Sequence, residues 1–356
     1  MNRIIGIDLL KIISMMLIVS LHVLGYGGAI PNNNVINAPY LTTWFLEIIS
    51  LTAVDTFGLI TGYLYIDKKI NINSIFKLWI KVLFYSLLIY IIFLLFNSNH
   101  ILNLTSILKY CFPLVMSHYW YFTHYFALFF FIPFINRLLN ILDRKQYSFL
   151  CILIGFLFFI MNTIRTMIVF PFSLLLVLYI IGGYIKRFVN ITFNNKKLLL
   201  IFFVVVFCNL LFRMFFIKAT TVLFKNPMGG LFTKNESPTI LFQSVLLLLI
   251  FRNVEIKSDR LNMSIKYLSK LSFSVYLIHA HELVLNNLIT NSFIFLSTIN
   301  NPILIIIHWL AIVISITFVC LTIDALVEFF FNRIGIYHLI DRKLSYYNAM
   351  FDSMFD

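Results

Sequence analysis

Three ionisable side chains interrupt the first apolar stretch of this chain, residues 4–25: Asp8, Lys11 and His22. Such groups at membrane depth are costly, so a functional reading is the default. Asp8, Lys11, Met15, Ile18 and His22 follow one another at steps of three or four, which sets them on one helical face. Lys11 and His22 are eleven residues apart, close to three turns, or about 16 Å along the axis. One face thus carries a cation near one end and an imidazole near the other. Imidazole, with an unperturbed pKa of about 6.5, suits a general base at neutral pH. A lone histidine near a membrane interface is more often structural, but the three-turn stripe and a matching carboxylate on the next stretch favour function here.

That carboxylate is Glu47. At 1.5 Å per residue from the end where the chain starts, His22 lies about 27 Å up the first helix and Glu47 about 26 Å up the second, which runs the other way. The two can meet, and Glu47 could orient the ring. By the same count Lys11 lies at about 11 Å and Asp55 at about 13 Å. A second pair is therefore expected, with Asp8 as a competing local partner for Lys11. Asp55 and Lys11 read equally well as a buried ion pair that fixes helix packing.

The helices that must position these residues are legible in the composition. Of 356 residues 61% are hydrophobic and only 12% charged, with 40 Phe and a mean hydropathy of +0.95. These values exclude a soluble globular domain and predict an all-α, polytopic membrane bundle. Apolar windows long enough to span fall at about 4–25, 42–64, 78–96, 118–136, 148–164, 167–184, 198–217, 238–252, 271–290 and 303–331, which makes about ten helices. Alternate loops collect 19 of the 27 basic residues, so the positive-inside rule sets both termini in the cytoplasm. This asymmetry accounts for the +13 charge without a nucleic-acid partner. Residues 1–335 read as one transmembrane domain and 336–356 as a short cytoplasmic tail. The N-terminal run is too long and too charged for a cleaved signal. Cys111, Cys151, Cys208 and Cys320 are scattered, which suggests neither a disulfide framework nor a zinc site.

Familiar catalytic signatures are missing: no G-x-S-x-G elbow, P-loop, dinucleotide fingerprint or H-E-x-x-H. In the string His279-Ala280-His281-Glu282, helical residues two apart point about 200° from each other and cannot share an ion. No metal is expected. His118 and His124, six apart, diverge by about 120° on one helix. The loop around residues 26–41 is uncharged and rich in Gly, Pro and Asn. That composition suits an irregular connection; the loop around 97–117 keeps apolar character and could dip back into the membrane edge, and the longest, about 218–238, reads as mobile.

Taken together, the residues resemble the membrane acyltransferases of acyltransferase family 3, which O-acylate bacterial surface polysaccharides and lipopolysaccharide. The resemblance covers nearly the whole chain. It rests on GIDLLKIISMMLIVSLHV, with Lys11 and His22 separated by ten residues, on AVDTFGLITGYL, on HYWYFTHYFALFFFIPF, on LYIIGGYIKR and on SFSVYLIH, ending at His279. It implies that His22 is the essential family histidine, Lys11 the basic residue of that motif and Asp55 the aspartate of the second string. Thr61 stands where serine is usual, and the family's arginine-rich segment after the second helix appears as IFKLWIK, with Lys77 and Lys81.

The resemblance implies an integral O-acyltransferase, most simply an O-acetyltransferase, of the bacterial cytoplasmic membrane. Its acyl donor would be cytoplasmic acetyl-CoA and its acceptor a hydroxyl of a cell-surface glycan or a lipid-linked saccharide. Phosphates on such a donor call for cations at the inner mouth: Lys77 and Lys81, with Lys68, Lys69 and Lys11 as further candidates. Lys77 and Lys81 read equally well as anchors that snorkel to the inner leaflet. Trp120, Tyr121 and Tyr125 suit an outer aromatic belt or sugar stacking. His118, Trp120, Tyr121, His124 and His279 are candidates for lining an acceptor site or channel, with His279 about 12 Å from the inner side. An exporter of the same fold, or a non-catalytic sensor, is the competing reading. No inverted repeat supports the exporter.

Overall fold

The computed structural model describes residues 3–31, 35–96, 103–160, 162, 171–190, 194–225, 229–230 and 232–355. Among these residues there is no strand, and thirteen α-helices follow one another. They are α1 (Ile5–Leu24), α2 (Ala38–Tyr65), α3 (Ile72–Phe96), α4 (Leu104–Cys111), α5 (Trp120–Asn140), α6 (Arg144–Gly155), α7 (Pro171–Phe188), α8 (Asn195–Phe224), α9 (Pro238–Arg252), α10 (Asp259–His279), α11 (Glu282–Val284), α12 (Pro302–Ile334) and α13 (Ile336–Phe355). Seven of them, α1, α2, α3, α5, α7, α8 and α12, are long and apolar enough to cross a membrane. The other three predicted windows fall on α6 with the π-turn Phe156–Ile160, on the fifteen-residue α9 and on α10. The junction of the fifth and sixth windows, with Arg165, lies outside the described residues.

Local chemistry sets several of these ends. Asn37 accepts from Tyr40 N (3.0 Å) and Pro39 fills the first turn of α2; Asp143 and Gln146 close a reciprocal capping box on α6; Asn301 accepts from Ile303 N (2.9 Å) ahead of Pro302. Each cap satisfies backbone donors that the first turn leaves free. The largest departure from a hydropathy window is at the ninth, whose helix α10 runs 259–279, not 271–290, because its first half (DRLNMSIKYLSK) is helical but polar. His281 then takes the N–H of Leu283 on Nδ1 (3.2 Å) and starts a new turn. Apolar Leu283 to Ile289 extend the window past the real break. Smaller departures extend α3 back to Ile72 and α8 on to Phe224, into the expected loop at about 218–238.

The bundle is built around α2, whose most apolar window is 72% buried. Its small residues allow this. A Cβ on Gly62 would stand 2.0 Å from Tyr179 O, and one on Gly182 would stand 2.2 Å from Leu59 O, so the backbones of α2 and α7 touch where they cross. The contact brings the end of α2 against Lys186 and Arg187: Arg187 Nε meets Asp67 Oδ1 at 2.9 Å and its Nη2 donates to Ile66 O at 3.2 Å. Two of the motifs that carried the family resemblance are thus, in part, one helix crossing.

The predicted tail is helix α13, and it docks back on α3. Asp341 accepts from Lys77 Nζ (2.7 Å) and Asn73 Nδ2 (2.8 Å), and Asn348 Oδ1 accepts from Ile72 N (2.8 Å). The Lys77 ammonium holds the Asp341 carboxyl below the ordinary carboxylate value. A lowered pKa stabilises docking above the ordinary value of about 3.9, and the contribution is lost as pH falls through the lowered one. Spin labels on Ser74→Cys and Lys343→Cys should therefore report one narrow distance that broadens only below about pH 4, and broadens at neutral pH in Lys77→Ala. A distance that stays narrow in Lys77→Ala would mean that the Asn73 and Asn348 hydrogen bonds and apolar packing hold α13 without the ion pair.

Candidate active site

The ionisable stripe of α1 faces two cavities that lie end to end. Near the end of the bundle where α1 starts, a cavity of about 310 Å³ is lined by Arg3, Asp8, Lys11, Tyr63, Lys68 and Lys186, among others. One helical turn further along α1, a cavity of about 530 Å³ begins at Met15 and continues past Ile18 to His22 and Tyr26. Its other walls include Glu47, Phe57, Trp120, Tyr121, Asn235 and Tyr276.

In the far cavity His22 presents Nε2, since its Nδ1 is buried and has no hydrogen-bond partner. The ring lies 4.9 Å from that of His279 and edge-on to Tyr26 at 5.6 Å. His279 is 1% exposed, and its Nδ1 meets Val275 O. A carbonyl only accepts, so Nδ1 carries the proton and the unpartnered Nε2 keeps a lone pair. Just inward of His22 and Glu47, polar ties fix α1 to α2 and α12. Trp309 Nε1 donates to Ser20 Oγ (2.8 Å), and the Ser20 and Ser50 hydroxyls meet at 2.7 Å. Tyr119 donates to Leu277 O (2.8 Å) and locks the start of α5 onto the end of α10.

At the other end four cations face one carboxylate. Asp8 takes Arg3, Lys11 (3.4 Å) and the Ser269 hydroxyl (3.0 Å). Lys186 Nζ lies over the Tyr63 ring at 4.9 Å, and Lys68 is shared with a neighbouring cavity that also holds Lys69, Arg137 and Arg187. The excess of positive charge makes this mouth suited to a polyanion.

Several sequence expectations need correction. His22 and Glu47 share a cavity at the expected common depth, but no hydrogen bond or ion pair joins them, and Glu47 Oε2 is buried without a partner. The ring beside His22 belongs to His279, which stands at the far end of α10, twenty residues or about 30 Å from Asp259, and not about 12 Å from the inner side. Lys11 pairs with Asp8, the competing partner, and not with Asp55. Asp55 is fully buried with both oxygens unpartnered. Lys77 is held by Asp341, and Lys81 is buried between Asp324 (2.7 Å) and Glu328 (2.8 Å). Lys270 and Tyr337 close the same knot on Glu328, so cation and carboxylate charges balance there and neither lysine lines the basic cavity. Trp120 and Tyr121 line the far cavity. His118 precedes α5 and turns away to His281 (4.6 Å) and Tyr110 (5.1 Å), and His124 lines neither cavity.

The residues that sequence reasoning missed are Asn235, Tyr276 and Arg213. Tyr276 stands one turn before His279 and could have been found from the helix period. Arg213 bonds Gly229 and Thr233 in the connection that carries Asn235, and no local pattern marks either Arg213 or Asn235.

An all-α bundle with several membrane-crossing helices, whose first helix offers an imidazole to one internal cavity and cations to another, defines an integral membrane protein with its site inside the bundle. The chain belongs to the acyltransferase domain family, which matches residues 4–325, nearly its whole length. Curated proteins and solved structures contain no match to it.

Because Asp55 has no ionic partner, Asp55→Asn should leave the melting temperature in detergent unchanged. Breaking a true buried pair with Lys11 would cost about 3–5 kcal/mol. A drop of several degrees would restore that pair.

Proposed function

We propose that this membrane acyltransferase moves an acyl group, most simply acetyl, from cytoplasmic acyl-CoA to a hydroxyl of a cell-surface glycan or its lipid-linked precursor, in the bacterial cytoplasmic membrane. The observation that carries the reading is the pair of cavities set end to end on the stripe of α1, with four cations at one end and His22 at the other. With the basic end in the cytoplasm, as the positive-inside rule requires, Arg3, Lys11, Lys68 and Lys186 hold the phosphates of the donor. Its pantetheine arm runs past Met15 and Ile18 and delivers the thioester beside His22.

Chemistry then needs one proton carrier. His22 Nε2 removes the hydroxyl proton as the acceptor oxygen attacks the thioester carbon. The carbon–sulfur bond breaks, the thiolate leaves, and the imidazolium returns the proton to sulfur. Ester and free thiol are the products, and atoms and charge balance. This role requires the tautomer of His22 with hydrogen on Nδ1, and the lone pair on His279 Nε2, on a ring 4.9 Å away, is complementary to it. No hydrogen bond joins the two nitrogens, so His279 acts on His22 through ring contact. Tyr121 and Tyr276, in the same cavity wall, bring hydroxyls able to donate to the developing oxyanion.

Loss of a positioned base costs about 10² to 10⁴ in rate. In a deletion strain complemented with His22→Ala, the surface glycan should lack the ester signal that the wild-type gene restores by NMR, with expression and acetyl-CoA binding retained. Full esterification by His22→Ala would overturn the mechanism. At the mouth, changing both Lys68 and Lys186 to Ala should weaken acetyl-CoA binding about tenfold or more, whereas Lys77→Ala should not. The reverse pattern would move the donor to α3.

A further inference from the structure

The far cavity holds two acceptor oxygens that no protein donor satisfies. Glu47 Oε2 and Asn235 Oδ1 are both buried and unpartnered, and both residues line the cavity that contains His22. A buried acceptor without a donor is costly, and two in one cavity need donors from whatever fills it.

Neighbouring contacts fix the backbone that carries each residue. Tyr40, Trp44 and Glu47 follow at steps of four and three on one face of α2. Arg213 of α8 uses the first two: its Nε donates to Tyr40 Oη at 3.0 Å, and its Cζ lies 3.1 Å from the Trp44 ring centroid. The same guanidinium donates from Nη1 to Gly229 O (2.7 Å) and Thr233 Oγ1 (3.1 Å). It thereby pins the connection that carries Asn235 against α2. Ser237 closes a turn on Lys234, with N–H donating to Lys234 O at 3.0 Å and Oγ accepting from Lys234 N at 3.2 Å. Arg213 lies close enough to attract Glu47 electrostatically, but it makes its hydrogen bonds to Tyr40, Gly229 and Thr233, and Glu47 Oε2 stays without a donor. The carboxylate is left for the cavity.

We infer that Glu47 and Asn235 form a two-point clamp for the acceptor, taking hydrogen bonds from two hydroxyls of a sugar ring while a third faces His22. This inference rests on the proposed transfer to a glycan and names the residues that select it. Two accepting oxygens call for a ligand rich in hydroxyl donors. Trp120, 39% exposed, and Tyr121, both in the cavity wall, supply apolar faces that stack on a pyranose. A simple alcohol or a fatty chain would leave both oxygens unpaired.

The test uses full-length protein in nanodiscs and, as probe, oligosaccharides released by mild acid from the envelope of a strain that lacks this gene. Binding is read by equilibrium dialysis, and transfer from acetyl-CoA is read separately. Asn235→Ala should raise both the Kd and the acceptor KM about tenfold or more, while acetyl-CoA affinity stays at the wild-type value. Asn235→Asp, which keeps an accepting oxygen, should stay within about threefold of wild type. Unchanged acceptor affinity in Asn235→Ala, equal loss of donor and acceptor affinity, or a wild-type protein that binds none of the oligosaccharide would each overturn the clamp. Wild-type binding without transfer would instead overturn the proposed reaction and leave the clamp standing.

Discussion

An aspartate, a lysine and a histidine can persist on one apolar helix only if the face that carries them is never offered to lipid, and the bundle answers this demand on α1. Its stripe is turned inward against α2, α9, α10 and α12, and what it meets there is space lined by polar groups: a basic cavity at Lys11 and an aromatic one at His22. The rest of the architecture follows from keeping that face covered but not filled. The backbone crossing of α2 and α7 at Gly62 and Gly182 brings Lys186 of α7 and Lys68, just past α2, to one mouth. The hydroxyl ties through Ser20 and Ser50 hold α1 and α2 together between the ends.

Charge is managed differently in each part of the molecule. Lys81, Asp324, Glu328 and Lys270 neutralise one another in a closed knot between α3, α10 and α12, which suits a structural role. The mouth beside Lys11 keeps a surplus of cations, and the cavity beside His22 keeps unpaired acceptors. Unbalanced groups at depth are where a ligand has something to contribute. That contrast separates Lys68 and Lys186 from Lys77 and Lys81, which look alike in a list of basic residues.

Much of this was legible in the sequence. The period of α1 placed Lys11 and His22 on one face, and counting rises along opposed helices put Glu47 at the depth of His22, where the cavity includes both. The same count could not tell Asp8 from Asp55 as partner of Lys11, because equal depth says nothing about which side of α2 faces α1. His279 was misplaced for a different reason. Hydropathy follows apolar runs, and α10 begins in a polar segment and ends where His281 caps the next turn. Asn235 and Arg213 were invisible, since a long irregular connection has no period from which a direction can be read. The helical form of the tail is legible too, since Ile340, Leu344, Asn348 and Phe351 fall at steps of four and three on one face of α13.

The claim that depends on all of these features is that donor and acceptor approach the α1 stripe from opposite sides of the membrane. Sealed proteoliposomes selected for a single orientation can carry acetyl-CoA on one side only and the unacylated oligosaccharide on the other. Ester should form when acetyl-CoA is on the side of Arg3 and the saccharide is opposite, with free coenzyme A released on the donor side. Transfer that occurs only when both substrates share one compartment would contradict it.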